Sequence, residues 1–119
     1  MSIGSIDVVS VPVSDQDRAR DFYVEKLGFT VTMDADVGQR WLELEPPGGG
    51  ARITLVTWFD QMPPGSQQGL VIGSDDVAGD VDALRARGLE LGDPEKQSWG
   101  TFSSFRDPDG NSWVLVQRG

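Results

Sequence analysis

The sequence predicts an α+β fold in which the order β-α-β-β-β occurs twice. When the sequence is shifted by 60 positions against itself, turn and apolar residues of the two halves coincide in the same order. The matches are Ser14-Asp15 with Ser74-Asp75, Gly28 with Gly88, Phe29 with Leu89, Gly50 with Gly110, and Leu55-Val56 with Leu115-Val116. In both halves an apolar strand precedes an amphipathic segment that ends at a glycine, and further strands follow.

The first half begins with a strand over residues 7–13, in which Val9, Val11 and Val13 share one face. Ser14 or Asp15 is the expected N-cap of the following helix, because both side chains can accept a bond from a free backbone N–H. The apolar residues at helical spacing are Ala19, Phe22, Tyr23 and Leu27. Gly28 ends this helix. Strands over 29–33, 41–45 and 52–58 follow, and EPPGGG joins the last two.

The second half repeats this order. A strand over 69–73 leads to a helix that starts at Ser74-Asp75-Asp76, carries Val77, Val81 and Leu84 as its apolar stripe, and ends at Gly88. Strands are expected over 89–91, 101–105 and 112–117, with a flexible loop over 92–100. The chain then forms one domain over residues 1–119, with modules 5–58 and 68–118 joined by a linker over 59–67.

The composition excludes several kinds of chemistry. The chain has no cysteine and no histidine, so disulfides, thiolate or imidazole metal ligands, and Cys or His catalytic groups are absent. The net charge of −9 disfavours nucleic acid as a partner, because phosphates repel an acidic surface. The same charge is typical of a surface that keeps a protein in solution; alternatively, with carboxylates in a cleft, it would attract a cationic small molecule. No segment has the roughly 20 apolar residues of a membrane span or a secretory signal pattern, so we expect a cytoplasmic protein with no membrane partner.

The segments VPVSDQDRARDFYVEKLGF and FRDPDGNSWVLVQ, together with this order of elements, resemble the vicinal oxygen chelate superfamily. This superfamily includes glyoxalase I, extradiol dioxygenases and the bleomycin-resistance binding proteins. The resemblance covers nearly the whole chain. It implies two βαβββ modules that form cupped mixed sheets with helices outside, a homodimer, and a small-molecule site in the cups.

Enzymes of this superfamily hold a divalent metal with side chains from the first and fourth strands of each module. The matching positions in this sequence are Val8, Thr54, Leu70 and Val114. Three aliphatic side chains and one neutral hydroxyl are poor ligands for such a cation. We therefore expect no metal and no other cofactor, and the bleomycin-resistance type becomes the nearer relative.

Strand alternation then predicts the lining of the cup. The residues expected to bind a ligand are Val8, Ser10, Trp41, Arg52, Thr54, Val56, Trp58, Leu70, Ile72, Trp99, Phe102, Ser112 and Val114. Val116 shares this face, whereas Val9, Ile53, Leu55, Trp113 and Leu115 are expected to face the helices. The sequence leaves the register of RWLELE open, so Trp41, Glu43 and Glu45 lie either in the cup or in solvent.

Three functions are compatible with this lining. The leading one is metal-independent binding of a small planar or cationic organic molecule, as in drug- or metabolite-sequestering proteins. The second is a lyase, isomerase or oxygenase-type enzyme that uses carboxylates in place of the metal, with Glu43, Glu45 or Asp7 as general base. The third is an accessory scaffold in which side chains fill the cup.

Overall fold

The computed structural model describes all 119 residues and contains eight strands and two helices. In chain order these are β1 Val8–Pro12, α1 Gln16–Glu25, β2 Thr30–Asp36, β3 Arg40–Glu45, β4 Arg52–Val56, β5 Leu70–Gly73, α2 Val77–Ala86, β6 Glu95–Gln97, β7 Gly100–Arg106 and β8 Ser112–Arg118. The predicted order β-α-β-β-β therefore occurs twice, and the predicted fold class is confirmed.

Each half forms its own four-stranded mixed sheet. The strand orders are β1-β4-β3-β2 and β5-β8-β7-β6, and no hydrogen-bonded strand pair joins the two sheets. β1 is parallel to β4 and β5 is parallel to β8, while the other neighbours are antiparallel. We call residues 8–56 with their helix the first module, and residues 70–118 with theirs the second.

Both helices begin and end as their sequences predict. Asp15 caps α1 by accepting the Arg18 N–H at 3.1 Å, and Asp76 caps α2 by accepting the Gly79 N–H at 3.0 Å. Gly28 and Gly88 follow the helices with φ of +76° and +89°, a left-handed conformation that favours glycine. Each helix is ten residues long, and neither is long and apolar enough to cross a membrane.

The helix-facing sides of both sheets contribute to one apolar core of 16 buried residues. Trp113 is central to it, with Tyr23, Phe29 and Phe105 at ring-centroid distances of 5.8, 6.2 and 6.3 Å. Trp113 is 3% exposed, as predicted for a core residue. Burying each such large apolar side chain contributes roughly 1.5–3 kcal/mol, so this core holds the two modules together. The opposite side of each sheet is called the cup face below.

A buried turn connects the second module to the first. Asn111, which is fully buried, donates from Nδ2 to the carbonyl of Pro12 and to Asp107 Oδ2, both at 2.8 Å. Its Oδ1 accepts the backbone N–H of Gln67 at 3.0 Å. Gln67 in turn donates from Nε2 to the Ser10 carbonyl at 2.9 Å. One amide side chain therefore links β1, the segment between the modules, and the start of β8.

The single tyrosine reinforces this connection. The hydroxyl of Tyr23 donates to Asp107 Oδ2 at 2.7 Å and accepts from Trp113 Nε1 at 2.9 Å. Burial, followed by the nearby negative charge of Asp107, raises the pKa of this phenol well above its ordinary range. Tyr23 is thus held neutral as a donor between a helix of the first module and a turn of the second.

Two predictions about the second module are wrong. Residues 89–91 do not form a strand: Leu89 is buried in the core, and Leu91 makes only an isolated bridge with Phe105. The strand instead lies at Glu95–Gln97, inside the predicted loop, and pairs with β7. Its three residues are polar and exposed, so no apolar alternation marked them in the sequence.

The predicted orientation of β5 is also wrong. Leu70 pairs with Trp113 and Ile72 pairs with Leu115, so both side chains face the helices and pack against the core. Val71 pairs with Val114 and takes the cup-face position. Paired residues of neighbouring strands point to the same face, and a shift of one residue reverses every side chain. Leu70 and Ile72 therefore belong to the core side of the sheet.

Candidate functional site

The cup face of the first sheet brings together most of the predicted site residues of that module. β1 and β4 pair Val8 with Arg52 and Ser10 with Thr54, and β3 and β4 pair Glu43 with Thr54. The alternative left open for RWLELE is thereby resolved. Trp41, Glu43 and Glu45 lie on the cup face, while Leu42 and Leu44 are fully buried in the core.

Glu43 is a carboxylate near the middle of this face, and its residue is only 8% exposed. Its Oε1 accepts from the indole Nε1 of Trp41 at 3.2 Å. Its Oε2 accepts from Arg52 Nη1 at 3.1 Å and from the Thr32 hydroxyl at 3.3 Å. Burying a carboxylate is costly unless it is paired and hydrogen-bonded, and these three donors meet that requirement.

Arg52 is the cation of this face. Besides Glu43, it lies 3.6 Å from the carboxylate of Asp7, whose side chain is 82% exposed. Both of these contacts use Nη1, and neither Nε nor Nη2 of Arg52 has a hydrogen-bond acceptor in the protein. The Arg52 side chain as a whole is 41% exposed.

Thr54 lies on the floor of the same face and is fully buried. Its hydroxyl has no hydrogen-bond partner within the protein. Most buried polar side-chain atoms do have a partner, and an unpaired one costs about 1–3 kcal/mol. The Thr54 hydroxyl, which lies on the same face as Glu43 and Arg52, therefore has no hydrogen-bond partner among the side chains of this face.

Aromatic side chains border these polar groups. The rings of Trp41 and Trp58 are 6.3 Å apart and inclined by 32°, and both residues are partly buried. Phe59 continues the row, with its ring 6.1 Å from that of Trp58. Partly exposed indole rings next to polar groups are suited to contact a flat ligand.

The cup face of the second sheet is more open, and its polar positions include Ser104 and Arg106 of β7, which pair with Val114 and Ser112. It presents Ser112, Val114 and Val116 from β8, Phe102 from β7 and Val71 from β5. Trp99 precedes β7 and stacks on Phe102 at a centroid distance of 5.9 Å and an angle of 15°. Phe105 lies on the opposite, core side. The Ser112 hydroxyl donates to Gln68 at 2.8 Å. The second sheet has no ion pair on this face like that of Arg52 and Glu43.

A cleft of about 680 Å³ lies between the modules, and three of the predicted ligand-binding residues, Arg52, Leu70 and Ile72, are among those that line it. It is lined by helix-side apolar residues of both sheets, by the turn Gly48–Gly50, and by Ala83, Leu84 and Arg87 of α2. Beside it, the ends of the helices are linked, because Lys26 Nζ donates to the Arg87 carbonyl and Arg87 Nη1 donates to the Lys26 carbonyl at 2.8 Å. This cleft was not predicted from the sequence. The glycine-rich turn Gly48–Gly50, which lines it, is the feature of the sequence that could have indicated it.

Comparison with known proteins identifies the family. The model of the Glyoxalase/Bleomycin resistance protein/Dioxygenase superfamily matches residues 5–115. The chain belongs to this superfamily.

Individual relatives agree with the assignment to this superfamily. An antibiotic binding protein, TnmS3 from Streptomyces sp. CB03234, is 44% identical with a TM-score of 0.95, over 100% of this chain and 99% of that one. A glyoxalase/bleomycin resistance protein from the same organism is 46% identical with a TM-score of 0.87, over 95% and 100%. An uncharacterized protein of Bacillus subtilis (strain 168), YetH, is 38% identical over 97% of this chain and 99% of its own length.

The side chains at the superfamily's metal positions do not fit a divalent cation. Val8, Thr54 and Val114 lie on the cup faces, and β5 offers Val71 there in place of Leu70. A single neutral hydroxyl among aliphatic groups is a weak donor set. The nearby carboxylate of Glu43 already accepts bonds from Trp41, Arg52 and Thr32. We therefore derive no step through a metal.

The three candidate general bases differ in their surroundings. Glu43 has both carboxylate oxygens engaged, Asp7 is largely exposed next to Arg52, and Glu45 lies at the end of β3, paired with Thr30. Their catalytic role stays a prediction of the sequence.

Proposed function

We propose that the protein binds a small planar organic molecule on the cup face, that no metal takes part, and that binding itself is the function. The observation that carries this proposal is the first sheet's cup face, where the Trp41 and Trp58 rings border an orphaned Thr54 hydroxyl and the open donors of Arg52. Ligand sites typically combine aromatic walls with a few convergent polar groups. TnmS3, described as an antibiotic binding protein, supports a drug- or metabolite-sequestering role.

We further propose that the whole chain acts as one binding domain, with modules 5–58 and 68–118 around the linker 59–67, and that it works as a homodimer. Exposed apolar side chains support the dimer: Ile3, Ile6, Val71 and Trp99 are each at least half exposed. Sedimentation equilibrium should give twice the 12.9 kDa chain mass, and a monomer at every concentration would refute the dimer. The cytoplasmic location stays a prediction.

Three planar probes of one shape test the binding proposal: 2-naphthamide, 2-naphthoate and 2-naphthylmethylammonium. Isothermal titration calorimetry should show saturable binding of at least one probe. Replacing Trp58 by Ala should weaken that binding about tenfold, because stacking on an aromatic wall and its apolar area are lost.

The matched control fills the competing cavity. Ala83 lines the cleft on α2, so Ala83→Leu reduces that space while leaving the cup face intact. Binding should be unchanged in this variant. If Ala83→Leu weakens binding and Trp58→Ala does not, the ligand occupies the cleft and the proposed site is wrong. If no probe binds, the proposed function fails and the scaffold hypothesis is favoured.

A further inference from the structure

We propose that Arg52 and Thr54 form a polar anchor for the guest, and that the guest carries an acceptor oxygen, neutral or negative, rather than a positive charge. This inference rests on the proposed function and specifies the ligand of that same site. The sequence alone is compatible with a planar or a cationic guest, the latter because of the carboxylates and the net charge of −9. The contacts of the cup face instead favour a guest whose contacting group is neutral or negatively charged.

The carboxylate that would attract a cation is already neutralised. Arg52 lies 3.1 Å from Glu43 Oε2, and the indole of Trp41 donates to Oε1. A cationic guest would have to displace Arg52 from this pair or lie beside its positive charge. Like charges at contact distance near a protein surface repel each other. The position beside Arg52 thus disfavours a second cation.

The free donors of this face point to an acceptor. Arg52 uses Nη1 for its contacts with Glu43 and Asp7 and keeps Nε–H and Nη2–H without an acceptor. These N–H groups lie in the plane of the guanidinium, a geometry that suits carboxylate and other oxygen acceptors. Because Glu43 already holds one end of the guanidinium, the remaining donors are held in position and lose little rotamer freedom on binding.

The Thr54 hydroxyl adds a second, neutral contact. It lies two residues after Arg52 on the same face of β4, roughly 7 Å further along the strand. Its oxygen is buried and unpaired. A planar guest that presents an oxygen-bearing edge to β4 would accept from Arg52, and it would reach the buried Thr54 hydroxyl by displacing the groups that cover it.

The acidic surface does not reverse this preference. Exposed charges more than about 10 Å away are largely screened at physiological salt, whereas the partly buried pair of Arg52 and Glu43 is screened much less. The net charge therefore influences the approach of a charged molecule, and the local pair sets the sign of the contact.

The experiment compares the binding affinities of naphthalene probes that differ in charge. We expect 2-naphthoate to bind at least about tenfold more tightly than 2-naphthylmethylammonium, the size of one charge-assisted hydrogen bond. In the double variant Arg52→Met/Glu43→Gln this preference should disappear. The double variant is used because Arg52→Met alone would leave the Glu43 carboxylate buried without its partner. Circular dichroism and thermal melting verify that the variant is folded.

Arg85→Gln is the matched control. Arg85 is also ion-paired, with Asp93 at 2.8 Å, and its side chain is 40% exposed, but it lies on α2 away from the cup faces. Arg85→Gln removes one positive charge from the molecule, whereas Arg52→Met/Glu43→Gln leaves the net charge unchanged, so this control tests net charge alone and should leave the preference unchanged. Thr54→Val should weaken 2-naphthoate binding several-fold in a protein that keeps Arg52.

The outcomes separate the two proposals. Equal or tighter binding of the cation by the wild-type protein, or an unchanged preference in Arg52→Met/Glu43→Gln, would overturn the polar anchor while the binding function stands. A loss of preference in Arg85→Gln would assign it to net charge and also overturn the anchor. Failure of all three probes to bind would refute the proposed function itself.

Discussion

The turns that precede the last strand of each module occupy matching positions but differ in their contacts. In the second module, Asp107 and Asn111 are buried, and Asn111 reaches the Pro12 carbonyl of the first module. In the first module the matching positions are Pro47 and Ala51, which line the cleft and have no side-chain hydrogen-bonding group. The two modules are therefore joined firmly at one end and separated by a cleft at the other. A shared order of elements does not make the two junctions equivalent.

The cup faces differ in the same way. Arg52 and Thr54 of β4 match Ser112 and Val114 of β8. Asp7 contacts Arg52 at the start of one face, and Gln68 contacts Ser112 at the start of the other. The backbone plan is common, but the ion pair of Arg52 with Glu43 and the unsatisfied Thr54 hydroxyl occur in the first module, whereas Arg106 on the second face is exposed. This difference is why we place the polar anchor there.

The largest expected effect on stability is at Asn111, in the buried turn that joins the two modules. Asn111→Ala removes three hydrogen bonds from a fully buried site and leaves the Pro12 carbonyl and the Gln67 N–H without this partner. We expect the free energy of unfolding to fall by about 2–4 kcal/mol, measured by urea denaturation. The reverse change, Ala51→Asn, adds an amide at the open turn and should stay within about 0.5 kcal/mol. Equal effects at both positions would show that the junctions do not differ.

A smaller effect is expected at Tyr23, through which the first helix supports the second module's turn. Tyr23→Phe removes the donor to Asp107 and the acceptor of Trp113 Nε1, and should cost about 1–2 kcal/mol. The measurement is thermal unfolding of both proteins at neutral pH. A loss below a few tenths of a kcal/mol would contradict the role given to this hydroxyl.

The raised pKa of Tyr23 also predicts how the stability of the protein changes at alkaline pH. Because folding raises the pKa of Tyr23, its contribution is complete below the ordinary value of 10.0 and is lost as the pH rises above it. The wild-type protein should therefore lose its advantage over Tyr23→Phe above that pH. Since the chain has one tyrosine, phenolate absorbance reports its ionisation directly. Ionisation in the folded protein near the ordinary pKa would contradict its burial.

The smallest test exchanges residues between the cup faces. Thr54→Val places the second module's side chain at the matching position and removes the orphaned hydroxyl, so the ligand-free protein should gain about 1 kcal/mol. Val114→Thr adds a hydroxyl to a partly exposed position and should change stability by less than about 0.5 kcal/mol. Both are measured by thermal unfolding without ligand. A destabilised Thr54→Val would mean that its hydroxyl is satisfied.

Much of the fold could be predicted because its signals are local. The helices have carboxylate caps and glycine ends, and β4 alternates between polar and apolar residues, which fixed the orientation of Arg52 and Thr54. β5 has no such alternation, because Leu-Val-Ile is apolar on both faces, and only its pairing with β8 reveals the register. In addition, the N-caps Asp15 and Asp76 are one residue further apart than Gly28 and Gly88, so a constant shift between the halves misplaces this strand.

The contacts that complete the site and the junction could not be predicted because they are long-range. Tyr23 had the spacing of a core residue, and nothing near it in the sequence indicated Asp107 as its partner. The neutralisation of Glu43 likewise depends on three strands meeting at one carboxylate. The preferred charge of the guest's contacting group could not be predicted for that reason.

If Thr54 takes part in binding as proposed, recognition and heat resistance oppose each other at a single oxygen atom. A laboratory selection for survival at high temperature, carried out without any guest, would favour replacement of this threonine by an aliphatic residue. The survivors would fold more robustly and bind less well. Selections on this scaffold that aim to keep its binding should therefore include the guest at every round.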